Sequence, residues 1–127
     1  EEAYYENLYS GQLDEDEYRI RMEKLWDILA GRLEHSWNLP EMAALVNMSV
    51  PSLIRHARAA YHATPGQILG RMRLKHAAEL LLSSRMPVAM VALRTGYENP
   101  TSFAAAFKRE FRYSPREYRK RNQQQLQ

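Results

Sequence analysis

Residues 43–65 and 92–115 follow one plan, and that duplication limits the folds open to the chain. Ala43, Asn47 and Met48 recur 49 positions on as Ala92, Gly96 and Tyr97. After one inserted residue the offset becomes 50. Leu53, Ala57, Arg58 and Tyr61 then correspond to Phe103, Phe107, Lys108 and Phe111, and Thr64-Pro65 to Ser114-Pro115. Each copy reads as a short helix, a tight turn at Asn or Gly, a second helix, and a third helix opened by a capped proline. Two copies are too few for a stacked solenoid, which needs about three.

The local signals agree with that plan. Asn38-Leu39-Pro40-Glu41 is a capping box, and Thr64-Pro65-Gly66-Gln67 and Ser114-Pro115-Arg116-Glu117 repeat the start signal. Proline is tolerated there because first-turn N–H groups have no helical partner. Ser49 and Asn99 open the helices that follow the turns, and Asn47 tolerates the left-handed backbone that ends a helix. Ahead of the first copy, Tyr18, Met22, Leu25, Trp26, Leu29 and Leu33 recur at three- and four-residue steps, one face of an amphipathic helix. Ile68, Leu69, Met72, Ala77, Leu80 and Leu81 carry a long helix to about Ser83, where SSRMP breaks it. A short helix from about Val88 ends at Gly96. Period-two alternation with β-branched residues is missing, so the fold class is all-α. Five segments result: an acidic arm or linker (1–17), a first subdomain (18–63), a connecting helix (64–83), a second subdomain (84–121) and a frayed tail (122–127).

Charge narrows the partners. The net +3 conceals an asymmetry: residues 1–17 hold seven of the 15 acids and no base, leaving 18 bases against 8 acids in the rest. Basic bodies of this size meet polyanions, nucleic acid first and anionic lipid second. No run approaches the roughly 18 apolar residues of a membrane helix, and no secretory start is present, so a cytoplasmic location is expected. The chain does not open on Met, which fits a fragment or a processed product. With no cysteine there is no disulfide framework or thiolate site. His35, His56, His62 and His76 lack metal-ligand spacing. No phosphate loop, nucleophile elbow or carboxylate pair appears, so neither an enzyme nor a cofactor or metal site is expected.

Short helix, turn and second helix make the helix-turn-helix unit, whose second helix enters the major groove. Arg73-Leu74, Ala77, Leu80-Leu81, Val88, Val91-Ala92, Gly96-Tyr97, Phe103, Phe107-Lys108-Arg109, Phe111, Ser114-Pro115 and Tyr118-Arg119 together resemble the signature of the AraC/XylS family of bacterial transcription regulators. The resemblance covers residues 20 to 121. It implies a seven-helix DNA-binding domain, two helix-turn-helix subdomains joined by a long central helix, in a regulator that is more often an activator than a repressor. Activation implies contact with RNA polymerase. Larger members place a ligand-sensing or dimerising domain ahead of this one, which implies a homodimer through such a domain or through the acidic arm. The chain departs from the family pattern at Ala57, where an aromatic is usual, so Tyr61 and His56 are expected to fill that core. It departs again at His62 and Arg112, where glycine is common. DNA-alkylation-repair proteins with this module need a cysteine nucleophile, absent here.

Contacts with double-stranded DNA follow from the helical faces. On the helix from Ser49 to Tyr61, Leu53, Ala57 and Tyr61 face inward, opposite Pro51, Ile54, Arg55 and Arg58. Arg55 is the expected base reader, because its planar fork fits guanine O6 and N7. Ile54 suits a thymine methyl, Arg58 and the Ser49 cap the backbone. The 50-residue offset turns Ile54 into Ala104 and Arg55 into Ala105, while Arg58 becomes Lys108. The second recognition helix therefore anchors more than it reads. Ala105 and Thr101 remain for bases, and Ser102, Lys108 and Arg109 for backbone. Thr64 and Ser114 cap helices whose N-termini, with Lys108, suit phosphates, and Arg116, Arg119, Lys120 and Arg121 form a basic end. A connecting helix of about 18 residues is ~27 Å long, comparable with the ~34 Å between successive major grooves on one face of a duplex. The competing class is a protein-interaction or dimerisation module whose basic face meets an acidic partner, with Tyr4, Tyr5 and Tyr9 in a dimer contact.

Overall fold

A computed structural model describes residues 14–126. The 1–13 part of the acidic arm, with Tyr4, Tyr5 and Tyr9, lies outside the described residues. Among those described there are seven helices and no strand: α1 (Glu15–Ala30), α2 (Leu39–Leu45), α3 (Val50–Tyr61), α4 (Pro65–Ser83), α5 (Val88–Arg94), α6 (Pro100–Phe111) and α7 (Pro115–Leu126).

Most helix starts fall on the expected caps. Asn38 Oδ1 accepts from Glu41 N at 2.9 Å, and Ser49 Oγ from Ser52 N at 3.2 Å. Asn99 Oδ1 accepts from both Thr101 N (2.8 Å) and Ser102 N (3.2 Å). Asp14 Oδ1 accepts from Glu17 N at 2.8 Å and starts α1. Glu15, Asp16 and Glu17 there meet the positive end of the helix dipole. At the other end α7 continues to Leu126, through most of the segment expected to fray.

The chain divides into two compact units, one of residues up to Arg32 with Trp37–Leu69, the other of Leu33–Ser36 with everything from Gly70. α4 passes from the first unit to the second at Leu69/Gly70.

In the first unit α1 and α2 both pack on α3. Met22, Leu25 and Leu29 of α1, Met42 and Ala43 of α2, and Leu53 and Ala57 of α3 are buried. Ala57 has no bulk to offer, and rings on either side of it along α3 complete the packing with α1. Tyr18 stacks on His56 with centroids 3.8 Å apart, and Trp26 meets Tyr61 edge-on at 5.7 Å. His56 Nδ1 lies 2.8 Å from Ser52 O. A carbonyl only accepts, so Nδ1 carries the proton and the ring is held in place for the stack. The α2–α3 turn uses Asn47 at φ 53°, and Arg21 of α1 donates to its carbonyl at 3.0 Å.

In the second unit α5 and α7 both pack on α6. Phe103 and Phe107 are wholly buried against Leu74, Ala77, Leu81, Val91 and Ala92. Tyr97, Phe111 and Tyr118 extend the aromatic cluster at 4.5–5.3 Å. α5 has no side-chain N-cap. Buried Thr95 closes its other end, Oγ1 donating to Val91 O at 2.8 Å. The turn uses Gly96 at φ 97°. Arg73 Nε and Nη2 donate to Leu33 O (3.2 Å) and His35 O (2.8 Å) beside it. Arg119 acts in the same way, Nε to Leu81 O at 2.9 Å and Nη2 to Met86 O at 2.6 Å. That use ties the Arg119 guanidinium of the basic end into the fold.

Candidate nucleic-acid interface

α3 buries Leu53 and Ala57 and turns Pro51, Arg55 and Arg58 outward, with Ile54 half-buried between the two faces. Neither arginine side chain has a hydrogen bond or ion pair among the described residues. Both guanidinium groups are therefore available to an outside acceptor without first giving up one inside. Beside Arg55 an open groove of ≈ 490 Å³ runs between α1 and α3, lined by Tyr18, Met22 and His56, with Glu15 and Asp16 on its α1 wall. Arg19 pairs with Asp16 at 3.1 Å and Glu23 at 3.4 Å, which offsets that local negative charge.

α6 has the same construction with different chemistry. Phe103 and Phe107 point inward, Ala106 packs on the core, and Thr101, Ser102, Ala105, Lys108 and Arg109 are exposed. The backbone N–H groups of Thr101 and Ser102 are taken by Asn99, so only their hydroxyls remain for a ligand. Ala104 is half-buried and Ala105 faces solvent, leaving a methyl where α3 has Arg55.

The two expected phosphate caps prove unequal. Thr64 and Gln67 bond reciprocally, N–H to Oε1 at 2.9 Å and N–H to Oγ1 at 3.2 Å. Ser114 and Glu117 do the same at 3.3 and 3.1 Å. The acceptor in α4 is neutral, whereas that in α7 is a carboxylate. Hydrogen bonds from Ser114 hold the Glu117 carboxyl below its ordinary value, aided by the charges of Lys108 and Arg121. The N-terminus of α7 already faces an anion of its own. What Ser114 and Thr64 retain for a partner is a hydroxyl proton each.

Ser49, Pro51, Ile54, Arg55, Arg58 and Thr64 all lie in the first unit. Thr101, Ser102, Ala105, Lys108, Arg109 and Ser114 lie in the second. Two further features had only a faint trace in the sequence. Arg121 sits over the ring of exposed Tyr113, 4.4 Å from its centroid. Arg112, just past the end of α6, takes a left-handed backbone at φ 71°.

A tandem of helix-turn-helix units, each showing an outward helix with cations, defines the class to which this molecule belongs. Within it, the chain belongs to the AraC-type family of transcription regulators, whose helix-turn-helix domain matches residues 42–121. It is 36% identical over 90 residues to the RCS-specific transcriptional activator RclR of Escherichia coli K12, covering 71% of this chain and 32% of that protein. It is 37% identical over 87 residues to the transcriptional regulator MtrA of Neisseria gonorrhoeae, covering 68% and 29%. The chain thus spans about a third of the length of the curated relatives it matches. The DNA-binding domain of AdpA, solved in complex with a target DNA, superposes with TM-score 0.77 at 26% identity over 81% of this chain and 93% of that one. An AraC-type regulator from Chromobacterium violaceum shares the fold at TM-score 0.76 and 20% identity, over 80% and 91%. No helix among the described residues is long and apolar enough to cross a membrane.

Proposed function

We propose that this chain binds double-stranded DNA sequence-specifically as the DNA-binding part of a bacterial transcription regulator, acting in the cytoplasm as a binding module rather than an enzyme. The observation that carries this reading is the exposed, unpaired pair Arg55 and Arg58 on a helix whose opposite face is core. α3 enters a major groove and reads bases through Arg55, with Pro51 and Ile54 in apolar contact; Arg58, Ser49 and Thr64 hold phosphate. α6 anchors on the backbone through Lys108, Arg109, Ser102 and Ser114, and Thr101 and Ala105 give it a weak base preference.

The matched relative RclR is named as an activator, which favours activation and contact with RNA polymerase. Homodimerisation belongs to the acidic arm or to a domain preceding it. Selection from random duplexes tests the reading: enrichment of one or two short motifs is expected. Retention of all sequences alike at physiological salt would favour a basic protein-interaction module instead.

A further inference from the structure

Among the described residues, three other than glycine adopt left-handed backbone: Asn47 at φ 53°, His62 at φ 56° and Arg112 at φ 71°. Asn and His occupy that region several-fold more often than other side chains; Arg has no such preference. Arg112 is exposed, and nothing in its packing requires a side chain. Its backbone N–H donates to Lys108 O at 2.7 Å and closes α6, so the turn is made by the main chain alone. The side chain has no hydrogen bond or ion pair among the described residues. A costly backbone kept where glycine would serve points to use of the side chain.

The surroundings say what that use is. Lys108 lies one turn earlier, Tyr113 carries Arg121 over its ring, and Arg116 follows in the first turn of α7. Of the acids close by in sequence, Glu117 is already bonded to Ser114, and Glu110 stands exposed near the end of α6. His62 occupies the corresponding cap of α3, its N–H on Arg58 O at 3.0 Å. Both outward helices therefore end on a nitrogen-bearing side chain at a left-handed cap.

We infer that Arg112 is a phosphate-binding residue, its guanidinium carried off the end of α6 by the left-handed turn to grip the duplex backbone beyond the helix's own outward face. The contact rests on the placement of α6 against DNA proposed above and adds an anchor to it. Guanidinium and phosphate pair through two parallel N–H···O bonds, which suits a rigid fork held at a fixed turn.

Stability and binding should move apart on substitution. Arg112→Gly relieves the backbone, so Tm holds or rises by roughly 2–5 °C. Affinity for every duplex falls alike, by about tenfold, and the slope of log K against log salt becomes shallower by about 0.9. Arg112→Gln keeps the turn without the charge and loses the same slope, whereas Arg112→Lys retains it. Wild-type affinity and slope in Arg112→Gly would overturn the contact, as would a loss confined to some sequences. Lys108→Ala separates the two ideas. A slope loss there with none at Arg112 overturns this contact alone; no slope loss at either overturns the placement of α6 with it.

Discussion

Gly96→Ala should cripple the second unit, and the geometry gives the size of the effect. A Cβ at this position would meet the Leu33 carbonyl oxygen and lie 2.5 Å from Arg73 Nε and 2.8 Å from its Cζ. The backbone at φ 97° is itself unfavourable for any L side chain, costing about 1–2 kcal/mol. Relief of the clash by moving the guanidinium sacrifices its bonds to Leu33 O and His35 O, each worth about 1.5–3 kcal/mol as a bond to a charged donor. If one of the two survives, the total is about 2.5–5 kcal/mol, a large share of the ~5–15 kcal/mol that holds a typical domain together. Urea titration followed by circular dichroism measures it. Arg73→Leu, which removes the bonds while keeping glycine, isolates the hydrogen-bond part, and Gly96→Ala in that background gives the remainder. Gly96→Asn should also be damaging, although Asn47 holds the equivalent turn in the first unit. A loss below about 1 kcal/mol for Gly96→Ala would refute the argument, because it would mean that the loop at Leu33 yields freely.

Three other changes bear on the interface. Arg55→Ala should relax base preference under α3 by about 1–3 kcal/mol at one base pair, read by comparing selected motifs; unchanged motifs would remove Arg55 from base reading. Lys108→Ala should weaken all sequences equally and flatten the salt slope by about one unit, from a starting slope near −5 if about six phosphates are neutralised. Glu117→Gln should preserve the cap, as Gln67 does in α4, while raising DNA affinity in filter-binding or anisotropy titrations. Because the folded Glu117 carboxyl lies below its ordinary 4.5, the ionised group favours the folded state above that value. Its contribution disappears as pH falls through the lowered value, and Glu117→Gln should show no such component in pH-dependent unfolding.

How much of this was readable in the residues depends on how local each cause is. Helix starts were legible because a cap is chemistry within three or four residues: Asn38 with Glu41, Thr64 with Gln67, Ser114 with Glu117. The turns were legible because Asn47 and Gly96 are types that accept left-handed backbone. The roles of Arg73 and Arg119 were not legible, because their partners are carbonyls 33–40 residues away, and a carbonyl carries no residue identity to read. The stack of Tyr18 on His56 was equally remote, although His56 had been expected to help fill the space around Ala57. Arg112 was legible as an oddity but not as a contact, because exposure and an unpaired side chain appear only in three dimensions.

The pairing of Trp26 with Tyr61 has a practical consequence for watching the molecule at work. Both tryptophans, Trp26 and Trp37, belong to the first unit, and Trp26 touches the last residue of α3. Emission excited near 295 nm, about where tyrosine ceases to absorb, therefore originates in the first unit, with one of its two indoles against the end of α3. A titration followed at once by indole emission and by mobility would report on the first unit and on the whole complex separately, without a label.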